Sequence, residues 1–364
     1  MKESKDATEI KNFNSVFEFF KKNDSQIEYF GKTLGKGAYG EVREVKLKNS
    51  VKIMAAKLVK KDAGGDFGEI EVAQDLRGNN IIKINKTISR EYNGEDYDLI
   101  IMEKAILRDL GKLTEFYYKH NLLKLIIEDP FDQRIGDNFL RFYAKQIIDG
   151  LETLDRNYFV HFDIKPENLL ITINLNIKLS DFGLITKVKD GDKIKIPGGT
   201  QGYLTEEYFN KEKVTADVAR KQDYFALGST LYYLKYGEHL LKYQKFEEPM
   251  LNAERIMEIL SKKISFIRSR QENEQEFIDF LTSLIHYIPE ERPDFEKIYR
   301  NKWLNTNREE LDLIISSNEN DEEKVIMELQ KSDYLINKEK ETPKKKQNFI
   351  FRKKKKNLMS YANY

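Results

Sequence analysis

Cysteine is absent from the 364-residue sequence, and histidine occurs only four times. The lack of cysteine excludes disulfide bonds, thiolate catalysis and cysteine-ligated zinc, and four histidines do not favour a histidine-rich metal site. No apolar run reaches the roughly 18 residues that a membrane-spanning helix requires. The N-terminus is charged from Lys2 onward and lacks the apolar core of a secretion signal. These absences predict an intracellular protein, cytoplasmic, nuclear or both.

An excess of one charge is also lacking, because 62 basic residues are balanced by 61 acidic residues. This balance argues against nucleic acid as the main partner. Hydrophobic residues make up 40% of the chain, which is enough for a large core in two lobes or domains. Basic residues crowd only the tail, at positions 344–346 and 352–356. Those runs could contact anionic lipid, nucleic acid or an import receptor, or could form a solvated tail.

The strongest chemical signal lies in residues 161–170, which read HFDIKPENLL. Asp163 supplies a base or a hydroxyl-orienting group, Lys165 supplies a cation, and Asn168 supplies an oxygen ligand for Mg²⁺. An acidic ligand, Asp181, follows a short strand-like segment and begins an Asp-Phe-Gly triplet. Together these residue types are what phosphoryl transfer from a metal-bound nucleotide needs.

A glycine-rich turn, GKGAYG at residues 35–40, joins predicted strands at 29–34 and 42–47. Taken alone, the G-x-G-x-x-G spacing would also fit a dinucleotide-binding fold. A dinucleotide site needs a helix after the last glycine, whereas residues 41–47 alternate as a strand and enter a hairpin. The turn therefore favours a flap whose backbone N–H groups close over phosphates. Glycine is needed there because a Cβ would hold the backbone away from the phosphate oxygens.

A third predicted strand at 51–59 carries Lys57 in the sequence MAAK. The order of glycine-rich turn, strand lysine, residues 161–168 and Asp-Phe-Gly resembles that of eukaryotic protein kinases of the serine/threonine type. The resemblance implies an α+β, two-lobed protein kinase fold. It also implies ATP and Mg²⁺ as nucleotide and metal, and transfer of the γ-phosphate to serine or threonine hydroxyls of protein substrates.

The resemblance covers about residues 27–304, with an N-lobe at 27–102, a hinge at 103–105 and a C-lobe at 106–304. Residues 1–26 are an N-terminal extension with one apolar helical face at 13–20, which we expect to pack on the lobe that follows. Residues 305–364 are a C-terminal extension whose basic tail is predicted to be disordered.

The resemblance also assigns roles to the residues of the predicted site. Asp163 would accept or orient the substrate hydroxyl, Lys165 would neutralise the transferring phosphate, and Thr200 would contact both. Asn168 and Asp181 would bind Mg²⁺.

Lys57 would hold the α- and β-phosphates if a carboxylate fixes its position. Counting back from Asn80 selects Glu69 for that partner, whereas Glu71 would point to another face of the predicted helix. Met102 would be the gatekeeper, and backbone groups of Glu103 and Ala105 would bond the adenine. The nucleotide-contacting positions implied are Leu34, Gly35, Gly37, Gly40, Val42, Ala55, Lys57, Met102, Glu103, Ala105 and Leu170.

Two segments of the predicted C-lobe bear on the activation segment, the stretch from the Asp-Phe-Gly triplet at 181–183 to Glu207. Where the family reads Ala-Pro-Glu, this chain has Thr205, Glu206 and Glu207. Only Glu207 is carried over, and we expect it to pair with Arg292. Asp223 resembles the helix residue that clamps the backbone of the catalytic loop.

A third departure is Phe162, which stands where most of the family has an arginine that pairs with an activation-loop phosphate. Phenylalanine cannot form that pair, so we hypothesise that activity needs no phosphate at Thr186 or Thr200. The alternative is that Phe162 simply fills a pocket and that regulation lies elsewhere. The rival functions are a pseudokinase scaffold that keeps the fold without transfer, and a small-molecule kinase of similar fold.

Overall fold

A computed structural model describes residues 13–37, 40–61, 76–105, 109–120, 137–172, 176–205, 213–241, 262, 275–286 and 288–305. The chain divides into two units, Met1–Thr306 and Asn307–Tyr364, and every described residue belongs to the first. That unit has the α+β, two-lobed architecture expected from the sequence, with a β-rich N-lobe and a mainly helical C-lobe. In the described ranges, no helix is both long and apolar enough to cross a membrane.

The N-lobe is built on one antiparallel sheet of five strands in the order β1-β2-β3-β5-β4. The strands are β1 (Ile27–Gly37), β2 (Gly40–Leu47), β3 (Ile53–Lys60), β4 (Ile84–Tyr92) and β5 (Glu95–Met102). Strands β1, β2 and β3 confirm the three strands predicted at 29–34, 42–47 and 51–59, with ends shifted by a few residues. The β4–β5 hairpin turns at Asn93 and Gly94, which have φ of 54° and 77°. Asparagine and glycine accept this left-handed backbone, which is why the pair signals a hairpin.

Helix α1 (Phe13–Asn23) covers one face of this sheet. Its residues Val16, Phe17 and Phe20 are buried together with residues of the strands. The Phe17 ring lies 4.8 Å from the Phe30 ring of β1. The apolar face predicted for this segment therefore packs on the N-lobe, as expected.

The strand register shows which residues lie on the same face of the sheet. Directly opposed residues share a face, and the register pairs Val42 with Lys57 and Ala55 with Met102. These side chains line the face toward the C-lobe cleft. The neighbouring positions form the face that α1 covers: Val45, Ala56, Leu58, Leu99 and Ile101.

The C-lobe is mainly helical, and its described helices are α2 (Leu110–His120), α3 (Asp137–Arg156), α4 (Ala216–Tyr236), α5 (Gln275–Leu284), α6 (Phe295–Tyr299) and α7 (Lys302–Asn305). Helical spacing over residues 137–157 predicts one apolar face, and its residues are buried on α3: Leu140, Tyr143, Ile147, Leu151 and Leu154. Helix α5 ends at Leu284, and Ile288, directly before Pro289, has extended backbone with φ of −82° and ψ of 115°. Trp303 closes this core against Phe277 and Phe280, with ring centroids 5.1 and 5.2 Å away.

Three two-stranded pairs hold the segments around the cleft. They are β6 (Phe159–Val160) with β9 (Thr186–Lys187), β7 (Leu169–Ile171) with β8 (Ile177–Leu179), and β10 (Lys193–Ile194) with β11 (Val214–Thr215). In the sequence, the β7–β8 hairpin lies between residues 161–168 and Asp181. Because its strands are antiparallel, it brings Ser180, next to Asp181, back to Asn168.

Candidate active site

The loop after β6 is fixed by a buried carboxylate from α4. Asp223 accepts the backbone N–H of His161 at 2.8 Å and that of Phe162 at 2.9 Å. Burial raises the pKa of Asp223 to about 7, against the opposing effect of the two N–H donors. Phe162 adopts the left-handed backbone, with φ of 63°. The clamp predicted for Asp223 is therefore present in the structure.

His161 links this loop to the Asp-Phe-Gly segment. Its Nδ1 accepts the backbone N–H of Asp163 at 3.2 Å, so Nε2 carries the proton that is donated to the Ser180 carbonyl at 3.1 Å. Complete burial lowers the pKa of His161, which favours this neutral ring. The ring packs against Phe182 with centroids 5.4 Å apart.

Four predicted site residues meet in one hydrogen-bonded network. Asp163 accepts the Thr200 hydroxyl on Oδ1 at 2.6 Å and the Lys165 ammonium on Oδ2 at 2.7 Å. Lys165 also donates to Thr200 Oγ1 at 2.6 Å. The Asn168 side-chain amide donates to the backbone carbonyl and to Oδ2 of Asp163, at 2.8 and 2.9 Å. Because the amide nitrogen is held in this way, Asn168 Oδ1 is the atom left to face a metal ion.

Gly199 allows Thr200 to reach this network. Its backbone has φ of 146°, and a Cβ there would lie 2.7 Å from the Phe162 carbonyl oxygen. A side chain would therefore push the activation segment away from the catalytic loop.

Lys57 and Asp181, which lie 124 residues apart, form an ion pair of 2.7 Å across the cleft. Burial opposes ionisation of Asp181, but Lys57 outweighs it and holds the pKa of this carboxyl below its usual value. Asp181 has a left-handed φ of 61°, and about half of its side chain is exposed to the cleft. A charged, accessible carboxylate beside a lysine suits a metal-bound polyphosphate.

The cleft itself is shaped by the sheet and the hinge. A Cβ on Gly40 would lie 2.1 Å from the Leu58 carbonyl oxygen, so only glycine fits where β2 leaves the turn. Ala55 is buried and Met102 is half-buried on the cleft face. At the hinge, the N–H of Glu103 donates to the Lys83 carbonyl at 2.9 Å. The carbonyl of Glu103 is therefore the backbone group that the adenine prediction can use.

The remaining predicted cleft positions lie around this core. Leu34 and Gly35 belong to β1, and Gly37 ends it. Val42 is half-buried on β2, Leu170 is half-buried on β7, and Ala105 follows the hinge. Ala38, Tyr39 and Glu69 lie outside the described residues.

Comparison with known proteins decides the family. The protein kinase domain matches residues 29–304, well over half of the chain. The chain belongs to the protein kinase family.

Its curated relatives include several serine/threonine kinases. Serine/threonine-protein kinase MRCK alpha from Homo sapiens is 28% identical over 210 residues, which cover 57% of this chain and 12% of the relative. G protein-coupled receptor kinase 4 from Mus musculus is 30% identical over 224 residues, which cover 61% of this chain and 36% of the relative. The matched region thus spans only 12% of the first relative and 36% of the second.

In this member of the protein kinase family, Phe162 is an apolar anchor for the activation segment. It is 2% exposed and belongs to a buried cluster with Val160, Val188, Ile196, Ala216 and Ala219. Val188 and Ile196 come from the activation segment, and Ala216 and Ala219 come from α4. The pocket-filling interpretation of Phe162 therefore agrees with the packing.

An ionic anchor that the sequence did not predict lies beside this cluster. Arg220 of α4 pairs with Asp190 of the activation segment at 2.7 Å and with Asp155 of α3 at 3.1 Å. It also donates to the Val188 carbonyl at 3.1 Å. Burial raises the pKa of Asp155, and Arg220 opposes that shift. The only local signal for this anchor was the Asp-Gly-Asp turn at 190–192, which says nothing about a partner 30 residues away.

The departure from Ala-Pro-Glu also has a structural partner. Thr205 is buried, and its hydroxyl donates to Oε1 of Gln222 on α4. The Gln222 amide in turn donates to the Tyr203 carbonyl at 3.0 Å. Arg292 is buried and donates to the carbonyls of His286 and Lys221, at 2.8 and 3.2 Å. Its expected partner Glu207 lies outside the described residues.

Proposed function

We propose that this protein is a serine/threonine protein kinase that uses ATP and Mg²⁺. The observation that carries the proposal is the closed contact of Asp163, Lys165 and Thr200, with every atom pair within 2.7 Å. It joins the activation segment to the catalytic loop at the point where a substrate hydroxyl must be received. The serine/threonine-protein kinases among the relatives support the same substrate class.

Each residue of the network has a defined task. Bound ATP and Mg²⁺ supply the phosphoryl group and neutralise its charge. Asp163 orients the substrate hydroxyl and receives its proton on a carboxylate oxygen, and Lys165 places a positive charge next to that carboxylate. Thr200 is hydrogen-bonded to both side chains and thereby connects them to the activation segment.

The residues present fit the metal and the nucleotide. Mg²⁺ is usually held by one or two protein oxygens together with phosphates and waters, and Asp181 with Asn168 offers such a pair. No cluster of three or more acidic or histidine ligands was found among the residues described. The ion pair with Asp181 holds Lys57 on the cleft face of the sheet. A nucleotide whose adenine binds at the hinge would have its phosphates beside this lysine.

We also propose that activity does not depend on an activation-loop phosphate. Support comes from the Phe162 cluster and the Arg220–Asp190 pair, which anchor the segment without a phosphate. Phosphatase treatment tests this. Activity that persists after Thr186 is dephosphorylated is expected, and activity that collapses when Thr186 is the only loop phosphate lost would overturn it.

Incubation with labelled ATP and a mixed peptide library separates the rival functions. Transfer to serine or threonine that is abolished by Asp163→Asn supports the kinase. Nucleotide binding without transfer supports a pseudokinase scaffold, and transfer to small molecules alone supports a small-molecule kinase. The basic runs at 344–346 and 352–356 lie outside the described residues, so their contact with lipid, nucleic acid or an import receptor stays a prediction, as does an intracellular location.

A further inference from the structure

The outer face of β2 runs from helix α1 to the glycine-rich turn. Side chains alternate along a strand, so Glu41, Arg43 and Val45 lie on the face opposite to Val42. Val45 is buried under α1 with Phe17. One row of side chains therefore connects the N-terminal helix to the nucleotide flap.

Arg43 is the middle of this row and contacts both ends. Its guanidinium lies 4.4 Å above the Phe17 ring and also donates to the Asn14 side chain of α1. On the other side, Arg43 Nε donates to Glu41 Oε1 at 2.6 Å. Arg43 is therefore in direct contact with both α1 and Glu41.

Glu41 carries the contact into the flap. It is 2% exposed, and its carboxylate also accepts the Thr33 hydroxyl at 2.9 Å and lies 3.4 Å from Lys36 Nζ. Burial opposes ionisation, but hydrogen bonds from Arg43, Thr33 and Lys36 outweigh it, so the pKa of Glu41 lies below its usual value. Lys36 is opposite Glu41 in the β1–β2 register, within the glycine-rich turn.

We propose that helix α1 positions the glycine-rich flap for nucleotide binding through Arg43 and Glu41, which act as positioning residues. The flap is rich in glycine and has many backbone conformations to lose when nucleotide binds. A buried carboxylate that fixes both strands of the turn removes part of that cost in advance. The proposal rests on the proposed function only in placing the nucleotide under the flap.

We call the connection from α1 through Arg43 and Glu41 to the flap the relay. A double-mutant cycle in the full-length protein tests it. Phe17→Leu alters the α1 end and Glu41→Gln the flap end, and affinity is measured with Mg²⁺ and the non-hydrolysable analogue AMP-PNP. We expect Phe17→Leu to raise Kd by roughly five- to tenfold in the wild-type background, at the lower end of typical couplings between sites. In the Glu41→Gln background the same change should have almost no effect. Equal effects in both backgrounds, or none in the wild type, would overturn the relay.

Arg90→Met is the matched control, because Arg90 anchors the other end of α1 through the Asn23 carbonyl at 2.7 Å and has no contact with Glu41 among those described. Arg90→Met should leave the nucleotide Kd within about twofold of the wild-type value. If it raises Kd as much as Phe17→Leu does, the effect reflects general destabilisation and the proposal is contradicted. Asn14→Ala, at an exposed position, replaces Phe17→Leu if that variant does not fold.

Hydrogen exchange without nucleotide gives a second readout. Residues 33–43 should exchange faster in Phe17→Leu and Asn14→Ala but not in Arg90→Met, and unchanged exchange would contradict the relay. Both measurements read nucleotide binding or flap order instead of transfer. A chain that binds nucleotide without transferring phosphate would therefore refute the proposed function and leave this test intact.

Discussion

The Thr200 hydroxyl donates to Asp163 Oδ1 at 2.6 Å, and this bond joins the activation segment to the catalytic loop. A hydrogen bond to a charged group contributes about 1.5–3 kcal/mol. Thr200→Ala should therefore lower kcat by roughly 10- to 100-fold, because Asp163 and Lys165 lose their shared partner. Steady-state kinetics with a peptide substrate measure the loss.

Thr200→Ser is the control, since it keeps the hydroxyl and removes only a methyl group. It should retain most of the wild-type kcat. If serine and alanine reduce kcat equally, Thr200 acts through its methyl packing and the hydrogen-bond account is wrong.

The Lys57–Asp181 pair leads to a prediction about metal dependence. Asp181→Asn keeps the shape of the side chain but removes the charge expected to bind Mg²⁺. Nucleotide affinity should then lose most of its dependence on Mg²⁺ concentration, with a Kd at saturating Mg²⁺ weaker by roughly tenfold or more. Titrations of nucleotide at several Mg²⁺ concentrations measure this. A Mg²⁺ dependence equal to that of the wild type would exclude Asp181 as a ligand.

Local sequence predicted the elements of this site better than it predicted their supports. The strands, the buried face of α3 and the order of Lys57, Asp163 and Asp181 follow from periodicity and short motifs, which depend on neighbouring residues. The pairs Thr205–Gln222 and Asp190–Arg220 could not be predicted, because tertiary packing joins residues on separate segments.

The same limit applies to α1. Its apolar face was evident from helical spacing, but its link to the flap was not. That link depends on Arg43, which looks like an ordinary exposed strand residue in the sequence and yet contacts both Phe17 and Glu41.

Asp223 should make stability depend on pH. Its pKa is about 7 when folded and near 3.9 in an unfolded chain, so between these values the folded protein holds a proton that the unfolded chain has released. Its contribution to the free energy of unfolding is therefore full below about pH 4 and falls by about 1.4 kcal/mol per pH unit up to about pH 7. Denaturant unfolding at several pH values measures it.

Asp223→Asn isolates this effect, because asparagine cannot ionise. The variant should be less stable overall, since its amide cannot accept both loop N–H groups. Its free energy of unfolding should nevertheless fall less steeply than that of the wild type between pH 5 and 7. Asp155 and Asp163, which also face Asp223, are shared by both proteins and largely cancel in the comparison. Parallel pH profiles would show that Asp223 does not titrate in this range.

Phe162 should matter for stability and for activity together. Phe162→Ala empties a nearly fully buried site and should cost about 3–5 kcal/mol of unfolding free energy, whereas Phe162→Leu keeps an apolar side chain and should cost about 1 kcal/mol. Because the cluster joins the activation segment to α4, kcat should fall in the same order, alanine more than leucine. Thermal unfolding and kinetics on dephosphorylated protein measure both. A loss of stability without loss of kcat would show that the cluster supports the C-lobe and does not hold the activation segment in its working position.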